Sequence, residues 1–109
     1  DKYLPVEGEA LKYVEEHSQY KAFEIPADTY EWLDAPVNTV SAYAVLVGSL
    51  TQVSEELGYE ITKALFEHAA EITHEQGKSI TKENALRGSD GLPFHPGAEK
   101  YFKEAGILQ

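Results

Sequence analysis

Cysteine is absent from this 109-residue chain, so neither a disulfide framework nor a cysteine-based zinc site exists. That absence suits cytoplasm and periplasm alike. Arginine is nearly absent too: Arg87 is the single guanidinium, and nine basic residues face nineteen acidic ones, for a formal net charge of −10. Nucleic-acid binding needs clustered Lys and Arg to displace counterions, and the scattered lysines here exclude that class. The acidity serves solubility. No apolar run approaches the roughly 20 residues that cross a bilayer. The opening D-K-Y-L-P-V-E-G has neither the basic nor the apolar region of a signal peptide. The chain starts at Asp1 and not at Met, which reads as a trimmed or processed piece of a longer polypeptide.

Catalytic patterns are missing as well. There is no G-x-S-x-G, no G-x-G-x-x-G and no phosphate loop. His68, Glu71 and His74 share a helical stretch, but the two histidines are six residues apart, where a zinc helix needs four. His17 and His95 stand at helix ends, which suits capping or a dipole role. Glu15-Glu16 and Glu55-Glu56 are adjacent pairs on helix faces, pointing about 100° apart and poorly placed to share a proton. We therefore expect no enzyme, no metal and no cofactor.

What the chain does have is 42% hydrophobic and 11% aromatic residues, a globular composition for one domain or a piece of one. Its centre is Thr29 to Val47, T-Y-E-W-L-D-A-P-V-N-T-V-S-A-Y-A-V-L-V, which holds the only Trp and the longest run of β-formers. Val37, Thr39, Val40, Tyr43, Val45 and Val47 lose rotamer freedom in a helix, so Val37–Val47 reads as a strand covered on both faces, with a polar opening. A buried helix is the competing reading.

Around it, Glu9–His17 reads as a helix facing inward with Ala10, Leu11 and Val14, and Tyr20–Ile25 as a strand stopped by Pro26. Ser54 is set to cap the longest helix, with Leu57, Ile61, Ala64, Leu65, His68 and Ile72 as its apolar stripe and Gly77 as its stop. Thr81 should cap a short helix through Leu86, closed by Gly88 in left-handed geometry. Pro96 opens a last helix that buries Ala98, Tyr101, Phe102 and Ala105 and ends at Gly106. No repeat or low-complexity linker is present. Helices alternating with two or three strands give an α/β layered arrangement. That is little sheet for so apolar a central strand, which points to a fragment or a packed oligomer.

The most informative chemistry is neutral. Tyr30 and Trp32 precede Asn38, Thr39 and Ser41, and hydrogen-bonding groups in an aromatic surround suit a small polar ligand that is held and not transformed. Alternatively, the hydroxyls satisfy backbone groups and the aromatics belong to the core; the residues alone leave both open.

Several stretches resemble one family. I-P-A-D-T-Y at 25–30, the V-N-T-V that follows, Y-E-I-T-K-A-L-F-E at 59–67, E-N-A-L at 83–86 and H-P-G-A-E-K-Y-F-K-E-A-G at 95–106 look like the C-terminal third of the TAXI-type receptors of tripartite ATP-independent periplasmic (TRAP) transporters. The resemblance spans nearly the whole chain in the right order, and the last motif is its most specific part. It implies a two-lobed α/β binding-protein fold of type II, of which residues 1–109 would be a C-terminal segment. It also implies a periplasmic or extracytoplasmic location, an export signal in the precursor, a glutamate-like amino acid or organic acid as solute, and TRAP membrane permease subunits as partners. On this reading Tyr30, Asn38, Thr39 and Ser41 line the ligand cleft. The family continues Pro-Gly after its T-Y pair, where this chain has Glu31-Trp32, so the turn there differs. Arg87, at a helix end, is no carboxylate clamp, and a cation gripping an anionic solute is expected outside this segment. The alternative is a stand-alone α/β interaction domain that forms homo-oligomers through the edges of its short sheet, without small-molecule binding.

Overall fold

The computed structural model describes residues 2–109, which form two compact units, the first running through Ala44 and the second Val45–Gln109. In the first unit, helix α1 (Gly8–His17) is followed by strands β1 (Lys21–Ile25) and β2 (Val37–Ser41). Leu11 and Val14 on α1 are half-buried, as their spacing predicts, whereas Ala10 is exposed. The helix ends where side chains take up its last carbonyls: His17 Nδ1 donates to the Tyr13 carbonyl (2.8 Å) and Ser18 Oγ to that of Val14 (2.6 Å). Ser18 Oγ also accepts from the Tyr20 amide, and the Glu15 carboxylate accepts from the Ala22 amide (2.8 Å), which fixes where β1 begins.

The two strands pair antiparallel, with Lys21 opposite Ser41, Phe23 opposite Thr39 and Ile25 opposite Val37. The Val6 amide donates to the Asn38 carbonyl (2.8 Å), so the extended N-terminal stretch runs beside β2. The expected long buried strand stops here. β2 ends at Ser41 because its partner begins at Lys21, and a strand without a neighbour has nothing to pair its N–H and C=O groups. Tyr43 lies outside the ladder, and in the second unit Val45, Leu46 and Val47 are 43%, 72% and 80% exposed, without regular structure.

The second unit is built on helices α2 (Glu55–Glu67) and α3 (Pro96–Glu104), joined by 3-10 turns at Ala69–Glu71 and Glu75–Ser79 and a chain of β-turns. Ser54 caps α2 as predicted, its Oγ accepting from the Leu57 amide (3.1 Å). The buried face of α2 differs from the predicted stripe. Leu57, Ile61, Ala64, His68 and Ile72 are exposed; Gly58 and Thr62 are buried and Phe66 half-buried. Gly58 is the reason. Its missing side chain makes room for the His95 imidazole, which a Cβ on Gly58 would strike at Nδ1 and Cε1, while Gly97 lets α3 approach the α2 backbone: a Cβ on Gly97 would collide with the carbonyl of Glu55 and the amide of Tyr59, and would lie 2.6 Å from the Gly58 carbonyl carbon. Thr62 tolerates this contact because its hydroxyl donates to the Gly58 carbonyl (2.8 Å).

The core that follows is aromatic. Phe102 meets Phe66 and Phe94 edge-on, both at 5.8 Å between centroids, and Tyr101 stacks on Phe66 at 5.8 Å and meets Tyr59 edge-on. Tyr101 and Phe102 are the buried hydrophobic side chains among the described residues. α2 ends at Glu67, short of Gly77, and Ile72 is already extended (φ −74°, ψ 113°). Gly77 is not a left-handed stop: a Cβ there would lie 2.7 Å from Ile72 Cγ2, so glycine permits close packing. Residues 81–88 are not a helix but successive i→i+3 turns, although Thr81 Oγ1 accepts from the Asn84 amide (3.3 Å) and Gly88 takes its left-handed φ of 82°. α3 follows expectation, with Pro96 in its first turn, Tyr101 and Phe102 buried, and Gly106 left-handed at its end (φ 75°).

Candidate functional site

The predicted site residues all lie in the first unit, and strand geometry sorts them. Successive side chains of a strand point to opposite faces, while directly opposed residues of an antiparallel pair share one. Thr39 and Ser41 therefore stand on one face with Lys21 and Phe23, and Asn38 stands on the other with Ala22 and Glu24. Thr39, Ser41 and Lys21 are half-buried, whereas Phe23 and Asn38 are exposed. Asn38 is engaged at both ends. Its side-chain Nδ2 donates to the Glu7 carboxylate (3.3 Å) and its backbone carbonyl accepts from the Val6 amide. Ser41 Oγ donates to the Ala42 carbonyl at 3.3 Å, a long bond that a better acceptor can replace.

Tyr30 belongs to an aromatic cluster. Its ring stacks on Trp32 (5.4 Å, 15°), and Tyr3 meets both, at 6.0 Å from Tyr30 and 5.5 Å from Trp32. All three rings are 39–45% exposed. The side-chain hydrogen bond with Tyr30 raises the Tyr3 pKa above its ordinary value, with desolvation adding to it. The loop is shaped by two turns, Thr29 N–H to the Pro26 carbonyl (3.1 Å) and Leu33 N–H to the Tyr30 carbonyl (3.0 Å). The second turn occupies the positions where Glu31-Trp32 stand, and it brings Trp32 back onto Tyr30. Sequence reasoning found Tyr30 and Trp32 but missed Tyr3, 27 positions away from Tyr30 with no local pattern to flag it. Nor could it place Lys21 opposite Ser41, a relation that exists only through the register.

Elsewhere the histidines do structural work. His95 caps α3: Nδ1 accepts from the Gly97 amide (3.2 Å) while Nε2 donates to the Val53 carbonyl (3.0 Å), so both ring nitrogens are used and the tautomer is fixed. His74 Nδ1 accepts from the Gln76 amide (3.1 Å). His68 pairs with Glu71 at 2.6 Å, a hydrogen bond that raises its pKa, with the carboxylate's charge adding to it. These two side chains are 62% and 75% exposed, a solvated i,i+3 pair of a kind that surfaces carry without catalysis. Among the described residues no group of three or more His, Asp or Glu could hold a metal ion, and no helix is long and apolar enough to cross a membrane.

No solved structure matches the chain. The NMT1-like family profile matches residues 1–106. The chain thus belongs to the NMT1-like family, a periplasmic solute-binding family related to the substrate-binding proteins of transporters.

Proposed function

We propose, with solute binding by the NMT1-like family as the premise, that the protein serves as an extracytoplasmic receptor of a TRAP-type transporter of the TAXI class. It holds a small amino acid or organic acid of the glutamate type and hands it to membrane permease subunits. The observation that carries this reading is the family match over residues 1–106, next to a strand face that presents two hydroxyls, Thr39 and Ser41, beside a half-exposed ring, Phe23. Tyr30 joins this set from the loop before β2, whereas Asn38, expected beside them, faces the other side of the strand with its side chain on Glu7 and is left out of it. Such receptors work by capture: contacts made from two lobes stabilise the closed state.

We also propose that residues 1–109 are the C-terminal part of a two-lobed receptor. The support is surface area. A folded chain of this size exposes about 6,000 Å², and two separately folded bodies of the sizes of its two units about 7,200 Å²; this chain exposes 8484 Å². The excess includes Leu46, Val47 and Leu50, 68–80% exposed, and a further layer of polypeptide would cover them. The same surface supports a second reading, a domain that oligomerises through it.

Calorimetry on the protein and its Thr39→Ala variant tests the first reading. Weakened binding of L-glutamate or a related acid, with an unchanged circular dichroism spectrum, supports it. Unchanged affinity removes Thr39 from the site. A stable oligomer that binds no small solute supports the second reading.

A further inference from the structure

We infer that Tyr3, Tyr30 and Trp32 form a binding surface for a quaternary ammonium group, carried by a small solute of the choline or betaine class. Two distant stretches of the first unit build it. Tyr30 and Trp32 stand on the loop between β1 and β2. Tyr3 reaches them from the extended N-terminal stretch, which the Val6 amide ties to the Asn38 carbonyl of β2. The Tyr30 and Trp32 planes lie within 15° of parallel, and Tyr3 is inclined to them by 43° and 31°. The rings thus meet at an angle instead of closing into one stack. Each leaves 39–45% of its surface open to water, whereas Phe102, a core ring of the second unit, leaves 7%.

An exposed aromatic surface can take a neutral apolar group or a cation, and here charge decides. Ring faces attract a cation held within about 6 Å of the centroid. The chain uses that contact elsewhere, with Lys100 Nζ 5.3 Å from the Tyr59 centroid. The loop that carries Tyr30 and Trp32 also carries Asp28, Glu31 and Asp34, all exposed, and has no Lys or Arg between Pro26 and Pro36. Rings and carboxylates therefore attract the same sign. Lys2, next to Tyr3 in the chain, is the opposing charge. A methylated ammonium suits the surface better than a bare one, because its methyl groups gain apolar contact with the rings and it gives up no hydrogen-bonded hydration shell.

Trp32 is the only tryptophan, so its emission reads this surface directly. The test is a fluorescence titration of the protein with choline and with dimethylbutanol, the neutral isostere in which carbon replaces the charged nitrogen. Choline should give a saturable change in the millimolar range, and dimethylbutanol should bind at least about fivefold more weakly. Tyr3→Leu should weaken choline binding about two- to fivefold. Glu31→Gln combined with Asp34→Asn should weaken it at low salt and not at high salt. Tyr13→Leu removes an exposed ring that stacks on His17 outside the cluster, and should change nothing. Circular dichroism checks that each variant folds. An equal response to choline and dimethylbutanol, or no saturable response to choline, overturns the inference. Protein that co-sediments with phosphatidylcholine vesicles yet ignores free choline overturns the small-solute assignment. Tyr30 is shared with the receptor reading, but Tyr3 is not, and glutamate calorimetry on the strand face tests that reading separately.

Discussion

Gly97→Ala is the substitution on which intuition and structure disagree in sign. By helix propensity alone it should help, since alanine is favoured over glycine in a helix interior by up to about 1 kcal/mol. The structure predicts the opposite. The new Cβ would collide with the Glu55 carbonyl and the Tyr59 amide and lie 2.6 Å from the Gly58 carbonyl carbon, where comfortable carbon contacts need about 3.5–4.0 Å. Every obstructing atom is backbone, so no side chain can swing aside. α3 must then move away from α2 by about 1 Å or more, loosening the Phe66, Tyr101 and Phe102 contacts that form the unit's core. Overpacking of this kind costs about 1–3 kcal/mol, and the rigidity of both partners puts Gly97→Ala at the upper end.

Urea unfolding followed by far-ultraviolet circular dichroism measures this. Circular dichroism reads α2 and α3 directly, whereas Trp32 belongs to the other unit. With a slope of about 1–3 kcal/mol per molar, a loss of about 2–3 kcal/mol lowers the midpoint by roughly 1 M or more. Gly106→Ala is the control. Its φ of 75° makes alanine strained, but a Cβ there meets nothing within 4 Å, so its cost should be about 1 kcal/mol. A Gly97→Ala midpoint equal to or above wild type would refute the backbone contact between α2 and α3.

Other outcomes follow from single hydrogen bonds. His95→Asn keeps a capping acceptor for the Gly97 amide but loses the reach to the Val53 carbonyl. It should lower stability by about 1 kcal/mol, and His95→Ala by more, as thermal unfolding will show. The Tyr59 hydroxyl donates to Glu104 at 2.6 Å, and this bond is the main cause of a pKa pushed up to about 12. Because the folded value lies above the ordinary one near 10, the bond's contribution to stability is fully present below about pH 10 and is lost as pH rises through about 12. Absorbance titration should therefore show Tyr59 ionising late, and Glu104→Gln should bring it back towards its ordinary value.

How much of this was legible in the sequence follows from the range of each interaction. The capping residues Ser54 and His95, the left-handed Gly88, the end of α3 at Gly106 and the buried face of α3 depend on neighbours within about four positions and were read correctly, whereas the helix that Thr81 was to cap is a run of turns. The face of α2 was misread because Leu57 and Ile61 outweigh Gly58 and Thr62 in any hydropathy count. Contact between helix backbones rewards the absence of a side chain, which hydropathy cannot score. The strand over Val37–Val47 was read too long because its residues suit a strand throughout. A ladder also needs a partner, and Tyr20 is already held by the Ser18 hydroxyl where the next pair would form. Of the site, the hydroxyls and Tyr30 were visible as residue types. Their division between two faces, and the approach of Tyr3, arise from pairing across the chain.

Whether the first unit holds a small polar solute is measured directly by titrating the isotope-labelled protein with L-glutamate and following amide chemical shifts. Shift changes report binding even at millimolar affinity, so weak capture gives a signal. Saturable changes concentrated at Thr39, Ser41 and Tyr30 are expected, with the helices of the second unit unmoved. A folded protein whose amide spectrum does not respond to glutamate or to related amino acids and organic acids would contradict solute binding by the first unit.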